Sequence, residues 1–290
     1  MGVVSGHAPA TAAPPAASPA AAPAPGRGVL GMIGAPLALR CFEYWLYQYR
    51  RTWRGSAIST VLSPVLFLAA MGVGLGALVD GSRSHGVQGV SYLVFLAPGL
   101  LAASAMQTGV AEATYPVLGA IKWLKTYHAM LATPIGVPDV LVGHLLWIAV
   151  RVFTASAAYL AVMALFGATQ SALALLVLPA GLLTGMAFAT PVAAFAAANE
   201  NDAGFAALFR FVITPLALFS GTYFPARQLP PVLEQFAYVT PLWHGVELCR
   251  TLSLGTASLG ATVLHVAYLA AWLVAGVLAA AVVFRRRLVV

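Results

Sequence analysis

The chain has 290 residues, 61% of them hydrophobic and only 8% charged, whereas soluble domains carry about 25% charged residues; this excludes an ordinary water-soluble fold and indicates an all-α integral membrane protein. The formal net charge is +7, but the basic residues flank apolar runs and form no separate polar element, which argues for membrane topology and against nucleic acid as a partner. The two cysteines, Cys41 and Cys249, fall on opposite sides of the membrane in the topology below, so neither an intrachain disulfide nor a metal site is expected.

Residues 1–28 are rich in Ala and Pro and poor in branched or aromatic side chains. Such a segment buries too little surface to offset its chain entropy, so a disordered cytoplasmic tail is expected, with neither a secretory signal nor a myristoylation motif. Within residues 29–56 the stretch CFEYWLYQYRRTWRG holds six aromatic rings and three arginines in fifteen residues. Wound as a helix, it places Arg40, Glu43, Tyr47, Arg50 and Arg54 on one stripe and Phe42, Trp45, Tyr49 and Trp53 on another, the pattern of an amphipathic helix lying at the bilayer surface. Its arginines would meet anionic lipid headgroups.

The remainder, residues 57–290, contains apolar stretches of spanning length near 57–79, 91–115, 139–166, 172–198, 206–224 and 261–284, which predicts six transmembrane helices. The alternative is five, because Arg210 lies in the fifth stretch and charge is costly at the bilayer centre. With six spans both termini share one side. That side holds ten basic residues (Arg27, Arg40, Arg50, Arg51, Arg54, Lys122, Lys125 and Arg285 to Arg287), against Arg83, Arg227 and Arg250 opposite, which predicts cytoplasmic termini.

Between spans two and three, residues 118–138 show Ile121, Leu124, Tyr127, His128 and Leu131 at helical spacing beside Lys122 and Lys125, with Thr133 and Pro134 following and Pro138 further on. A short cytoplasmic amphipathic helix ended by the prolines is expected, placed where an intracellular partner could press on it. Arg151 sits mid-span with His144 and Trp147 on its face, and Glu112 in span two is its expected counter-ion. Arg210 follows Glu200 and Asp202 closely enough to pair with them, or to snorkel. Residues 222–257 are cut by Pro225, Pro230, Pro231 and Pro241 into pieces too short to cross, which fits an external re-entrant helical hairpin.

The run LFSGTYFPARQLPPVLEQFAYVTPLWHGVELCRTLSLG, Leu218 to Gly255, resembles the signature of type-two ABC transporter permeases, in the branch of nodulation-factor exporters and daunorubicin-resistance permeases. RRTWRGSAISTVLSPVLFLAAMGVGLG and HAMLATPIGVPDVLVG are similar to the same branch. The resemblance implies a bacterial inner-membrane exporter: two copies of the permease driven by two ABC ATPase subunits, with a surface helix, a coupling helix and external helices. It assigns ATPase coupling to Lys122, Lys125, Tyr127, His128, Leu131, Thr133 and Pro134, and an external gate to Phe224, Pro225, Pro241, His244, Glu247 and Arg250. Spans one, two and five would line the route, offering Phe67, Met71, Met106, Gln107, Phe211 and Phe219 to a hydrophobic or amphiphilic cargo such as an antibiotic or polyketide-like molecule. A lipid-linked saccharide or glycolipid is the alternative cargo.

No Gly-x-x-x-x-Gly-Lys-Ser/Thr motif occurs, so the chain is expected to be no enzyme and to bind no cofactor or metal, ATP and Mg being used by the partner ATPase. An ion-coupled carrier using Glu112 and Arg151 as a relay would show inverted repeats, which the halves do not convincingly display. A hydrolase built on Ser220, His244 and Glu247 would lack a nucleophile elbow.

Overall fold

The computed structural model describes residue 2 and residues 35–82 and 87–289; the predicted tail, the start of the predicted surface helix and Arg83 lie outside these. The regular elements among the described residues are helices joined by turns and loops, with one isolated bridge between Val87 and Val90. Helix α1 (Ala35–Phe67) runs through a π-helical stretch (Leu68–Leu75) into α2 (Gly76–Ser82). The boundary expected at residue 56 therefore falls inside a continuous helix. Its arginine stripe is exposed as the amphipathic pattern requires, with Arg40 bonded to Glu43 at 3.1 Å. The aromatic stripe differs from expectation, because part of it packs on protein instead of lipid. Cys41 and Ala38 fit against Gly143 of α6 (Val137–Leu165), where any Cβ would collide with them. Trp45 is buried with its ring 4.4 Å from His144, and Tyr49 lies 5.2 Å from Trp147, while Trp53 stays exposed.

Helix α3 (Tyr92–Ala113) is the central element, buried on most of its surface against α6, α7 (Val177–Ala198) and α11 (Pro241–Leu254). Small residues let these helices approach: a Cβ at Gly109 would strike the Gly185 carbonyl, and one at Gly276 of α12 (Leu259–Leu288) would strike Thr190 and Pro191. Lipid offers little contrast with apolar side chains, so close backbone packing of this kind is a main source of helix association in a membrane.

Span two continues past α3 through α4 (Tyr115–Leu118) and a π-helical turn to Trp123. Lys125 then adopts a left-handed backbone, φ 51°, and a separate short helix α5 (Thr126–Leu131) follows. The single helix expected across 118–131 is thus two pieces hinged at Lys125. Pro138 begins α6 instead of ending the preceding pattern, since proline fits the first turn, where its missing N–H has no partner to lose. Asp139 secures that turn by accepting the Gly136 N–H at 3.0 Å.

Among the described residues five helices are long and apolar enough to cross a membrane: Leu37–Val79, Tyr92–Trp123, Val137–Leu165, Ala172–Ala198 and Leu259–Leu288. The fifth predicted span, 206–224, is a shorter apolar helix, Ala203–Phe219, composed of α8 (Ala203–Leu208), a π-helical turn and α9 (Thr214–Phe219). It stops early because Ser220 leaves helical geometry and Gly221 takes φ 75°, a conformation glycine adopts without steric cost. The hairpin segment contains α10 (Pro231–Val239) and α11, each opened by proline; the Thr240 hydroxyl accepts the Trp243 N–H at 3.3 Å, and Gly255 ends α11 at φ 74°.

Candidate functional site: a groove along the first span

One stripe of α1 and its continuation borders three successive cavities. Gln48, Thr52 and Ser56 line an inner cavity of about 490 Å³ with Glu112 and Arg151. Ser59, Thr60 and Ser63 line a middle cavity of about 610 Å³, facing Ser104, Gln107 and Thr108 of α3 and Thr214 of α9. Phe67, Met71, Leu75 and Val79 line an outer cavity of about 610 Å³ with Tyr223 and Phe224. These positions recur at steps of three and four, as one face of a helix must. The groove is therefore richest in polar groups at its middle, is lined mainly by aromatic rings around the Glu112–Arg151 pair at its inner end, and is apolar at its outer end.

Adjacent cavities share lining residues at two junctions. Leu218 and Tyr223 border both the middle and the outer one. Arg151 borders both the inner and the middle one. Its Nε donates to Glu112 Oε1 at 2.8 Å, its Nη1 donates to the Tyr49 hydroxyl at 3.0 Å, and its guanidinium carbon lies 4.8 Å from the Tyr49 ring centre. Spans one, two and three thus meet at one ion pair whose side chains remain 15% and 21% exposed. Pairing makes the arginine tolerable at this depth, since each charge offsets the desolvation cost of the other.

A hydrogen-bonded chain ties this pair to α5. Residue 116 is proline, so the Glu112 carbonyl has no N–H four residues ahead to accept from. It accepts instead from His144 Nε2 at 3.3 Å. A carbonyl can only accept, so that contact places the His144 proton on Nε2 and leaves Nδ1 to accept from the Tyr127 hydroxyl. Tyr127 is fully buried between α5 and α6, and burial pushes its phenol well above its usual pKa.

The other coupling candidates occupy different environments. Lys122 donates to the Glu200 carbonyl, and the Glu200 carboxylate pairs with Arg287; this pairing holds the Glu200 carboxyl below its usual range. The end of span two, the α7–α8 loop and the C-terminal basic turn therefore share one end of the molecule. Lys125, His128, Thr133 and Pro134 are exposed there and Leu131 is half-buried, beside the strongly exposed Trp123 and Leu124. Tyr127, being buried, presents no docking surface. Arg210 is exposed on its π-helical turn and, among the described residues, has no ion pair; Glu200 is taken by Arg287 instead.

Of the six predicted route residues, Gln107 reaches the middle cavity and Phe67 and Met71 the outer one. Met106 is fully buried in the core, because it lies on the opposite face of α3 from Ser104 and Thr108. Phe211 is 73% exposed, and it and Phe219 border none of the three cavities. The polar residues Ser59, Thr60, Ser63, Ser104, Thr108 and Thr214 are the ones sequence reasoning missed. Their signal was available in α1: Gln48, Thr52, Ser56, Ser59 and Ser63 repeat at helical spacing, on a stripe that continues beyond the arginines into the apolar part of the span.

At the opposite end, Phe224 and Pro225 border the outer cavity. Pro241 opens α11, and His244 Nδ1 meets His265 Nδ1 at 2.8 Å while stacking on Tyr268. Arg250 is buried, donating from Nη2 to the Gly221 carbonyl at 2.7 Å, from Nε to the Phe95 carbonyl at 3.3 Å and from Nη1 to Glu247 at 3.2 Å. Ser220 bonds Thr240 at 3.1 Å. Ser220, His244 and Glu247 each have a different partner, so no hydrolytic triad is assembled.

Long apolar helices bordering a groove with a hydroxyl-lined middle and an apolar end define a multi-pass membrane protein of the transport class. The family model described as ABC-2 type transporter matches residues 40–254, and the chain belongs to that family. It is similar to Nodulation protein J of Rhizobium leguminosarum bv. viciae, 34% identical over 251 residues that cover 84% of this chain and 95% of that protein. It is also similar to Nodulation protein J of Rhizobium meliloti (strain 1021), 31% identical over 84% of this chain and 94% of that one. Inner membrane transport permease YadH of Escherichia coli (strain K12) is 24% identical over 72% of this chain and 80% of its own. Family members are membrane subunits whose ATPase is supplied separately, so this chain is a permease subunit with ABC ATPase partners.

Proposed function

We propose that the chain is the permease of an ABC exporter in a bacterial inner membrane, with both termini cytoplasmic, working as two copies with two ATPase subunits that use ATP and Mg. The cargo is an amphiphilic small molecule. One observation carries this reading: a single helical face leads from the Lys125–Pro134 end, through a hydroxyl-lined cavity, to an apolar one beneath the external segment. The polar part of an amphiphile fits the middle cavity and its apolar part the outer one. The hydroxyls and the Gln107 amide fit saccharide hydroxyls equally well, which keeps a glycolipid as the second reading of the cargo.

ATPase closure would press on α5. The Tyr127, His144 and Glu112 contacts would pass that displacement to the Arg151 junction, so that the groove opens alternately to the two sides. The test is co-purification followed by transport. A nucleotide-binding subunit that co-purifies with the chain, and ATP-dependent uptake of a fluorescent amphiphile into inverted vesicles, are expected; uptake by the chain alone, without nucleotide, would refute it.

A further inference from the structure

Arg151 is the single formally charged residue bordering the middle cavity, whose remaining polar lining is hydroxyls and the Gln107 amide. A guanidinium has five N–H donors. Nε serves Glu112 and Nη1 serves Tyr49; among the described residues Nη2 has no acceptor. The group is also not sealed in the core, since its side chain keeps 15% exposure toward the two cavities it separates. Several of the surrounding hydroxyls spend their protons on backbone carbonyls: Ser59 and Thr60 on Ser56, and Thr214 on Phe209. In a low-dielectric surrounding, an arginine with free donors and no carboxylate inside the middle cavity attracts negative charge strongly.

From this geometry we infer that the Arg151 junction is a binding site for the anionic head of an amphiphile, a carboxylate, phosphate or sulfate, with the apolar tail reaching past Tyr223 to Phe67 and Met71. Glu112 is the built-in competitor. It occupies one edge of the guanidinium when the site is empty, and an arriving anion takes the edge that Nη2 leaves open, or displaces Glu112. The groove agrees: the head site lies at the junction of the inner and middle cavities, and from there outward the lining passes from hydroxyls and the Gln107 amide to the apolar residues beyond Leu218. The inference deepens the transport reading by naming the charge class of the cargo, and it rests on that reading.

The test uses the full chain, purified into nanodiscs of zwitterionic lipid. The probes are a fluorescent dodecanoate, its methyl ester and the matching dodecylammonium. Dodecanoate should bind at least about tenfold more tightly than the ester or the ammonium, the scale of one charge-assisted hydrogen bond. Arg151→Gln should abolish the preference and Arg151→Lys should keep it. Glu112→Gln should strengthen dodecanoate binding several-fold, a direction a merely structural ion pair would not produce, and this holds the inference open to refutation should Arg151→Gln fail to fold.

Equal binding of the three probes, a preference surviving in Arg151→Gln, or no saturable dodecanoate binding would overturn it. Repeating the titration in discs containing phosphatidylglycerol separates two sources of the same chemistry: competition identifies a lipid headgroup as an occupant, and its absence leaves the site to cargo. The assay needs neither nucleotide nor ATPase, so its failure leaves the transport reading standing, and failure of ATP-driven uptake leaves this site standing.

Discussion

Arg250→Met removes a charge that the fold holds almost completely out of solvent, its side chain being 4% exposed, while keeping the length of its aliphatic stem. The 2.7 Å bond to the Gly221 carbonyl is a good charge-assisted contact of about 1.5–3 kcal/mol. The guanidinium carbon, 4.0 Å from the Phe95 ring centre, adds up to about 2 kcal/mol in a desolvated setting. The 3.3 Å contact to the Phe95 carbonyl adds less because it is long. Glu247 is 32% exposed and can rehydrate when orphaned, so its loss adds under about 1 kcal/mol. Relief of the arginine's own desolvation offsets part of the sum, leaving a cost of about 3 kcal/mol, near the low end for breaking a buried charged contact. Equilibrium unfolding of the purified chain in mixed dodecyl maltoside and SDS micelles measures it. A variant within about 0.5 kcal/mol of wild type, or one no worse than Glu247→Gln, would refute the assignment of Arg250 as the clasp between the 221 turn, α11 and α3.

Gly109→Ala should destabilise by about 1–3 kcal/mol in the same assay, because its Cβ meets the Gly185 carbonyl, whereas Gly55→Ala, with nothing within 4 Å, should not. Leu124→Asp should cut ATP-driven uptake by about tenfold or more without changing stability, since Leu124 is 69% exposed beside α5; Leu131→Asp should lower both, because Leu131 is half-buried against the core. His144→Phe leaves the buried Tyr127 hydroxyl without its acceptor, at a cost of about 1–3 kcal/mol. Adding Tyr127→Phe should recover most of that stability but not the stimulation of ATPase activity by cargo, which depends on the intact chain of contacts. Recovery of both would dissociate the chain from coupling.

The membrane class, the apolar spans and the proline breaks between Pro225 and Pro241 were legible because each is a local property: hydropathy over some twenty residues, or the missing N–H of proline. The pairing of Glu112 with Arg151 was legible for a related reason, since two opposite charges at membrane depth have few alternatives to each other. The aromatic stripe was read as amphipathic, but whether lipid or protein covers Trp45 depends on Gly143, about a hundred residues away. The periodicity at 118–131 could not reveal the break at Lys125, because a single left-handed residue leaves the hydrophobic pattern intact on either side.

By itself the sequence determined what this chain is dissolved in, which stretches are helical and where its charges gather, because those follow from side-chain transfer energies and helical spacing. Only the tertiary structure decided which face of α1 borders cavities, that Met106 is core while Ser104 and Thr108 are lining, and that Pro116 frees a carbonyl for His144. A helix face has no assigned neighbour until the backbones dock, and small residues distant in the chain decide how closely they do.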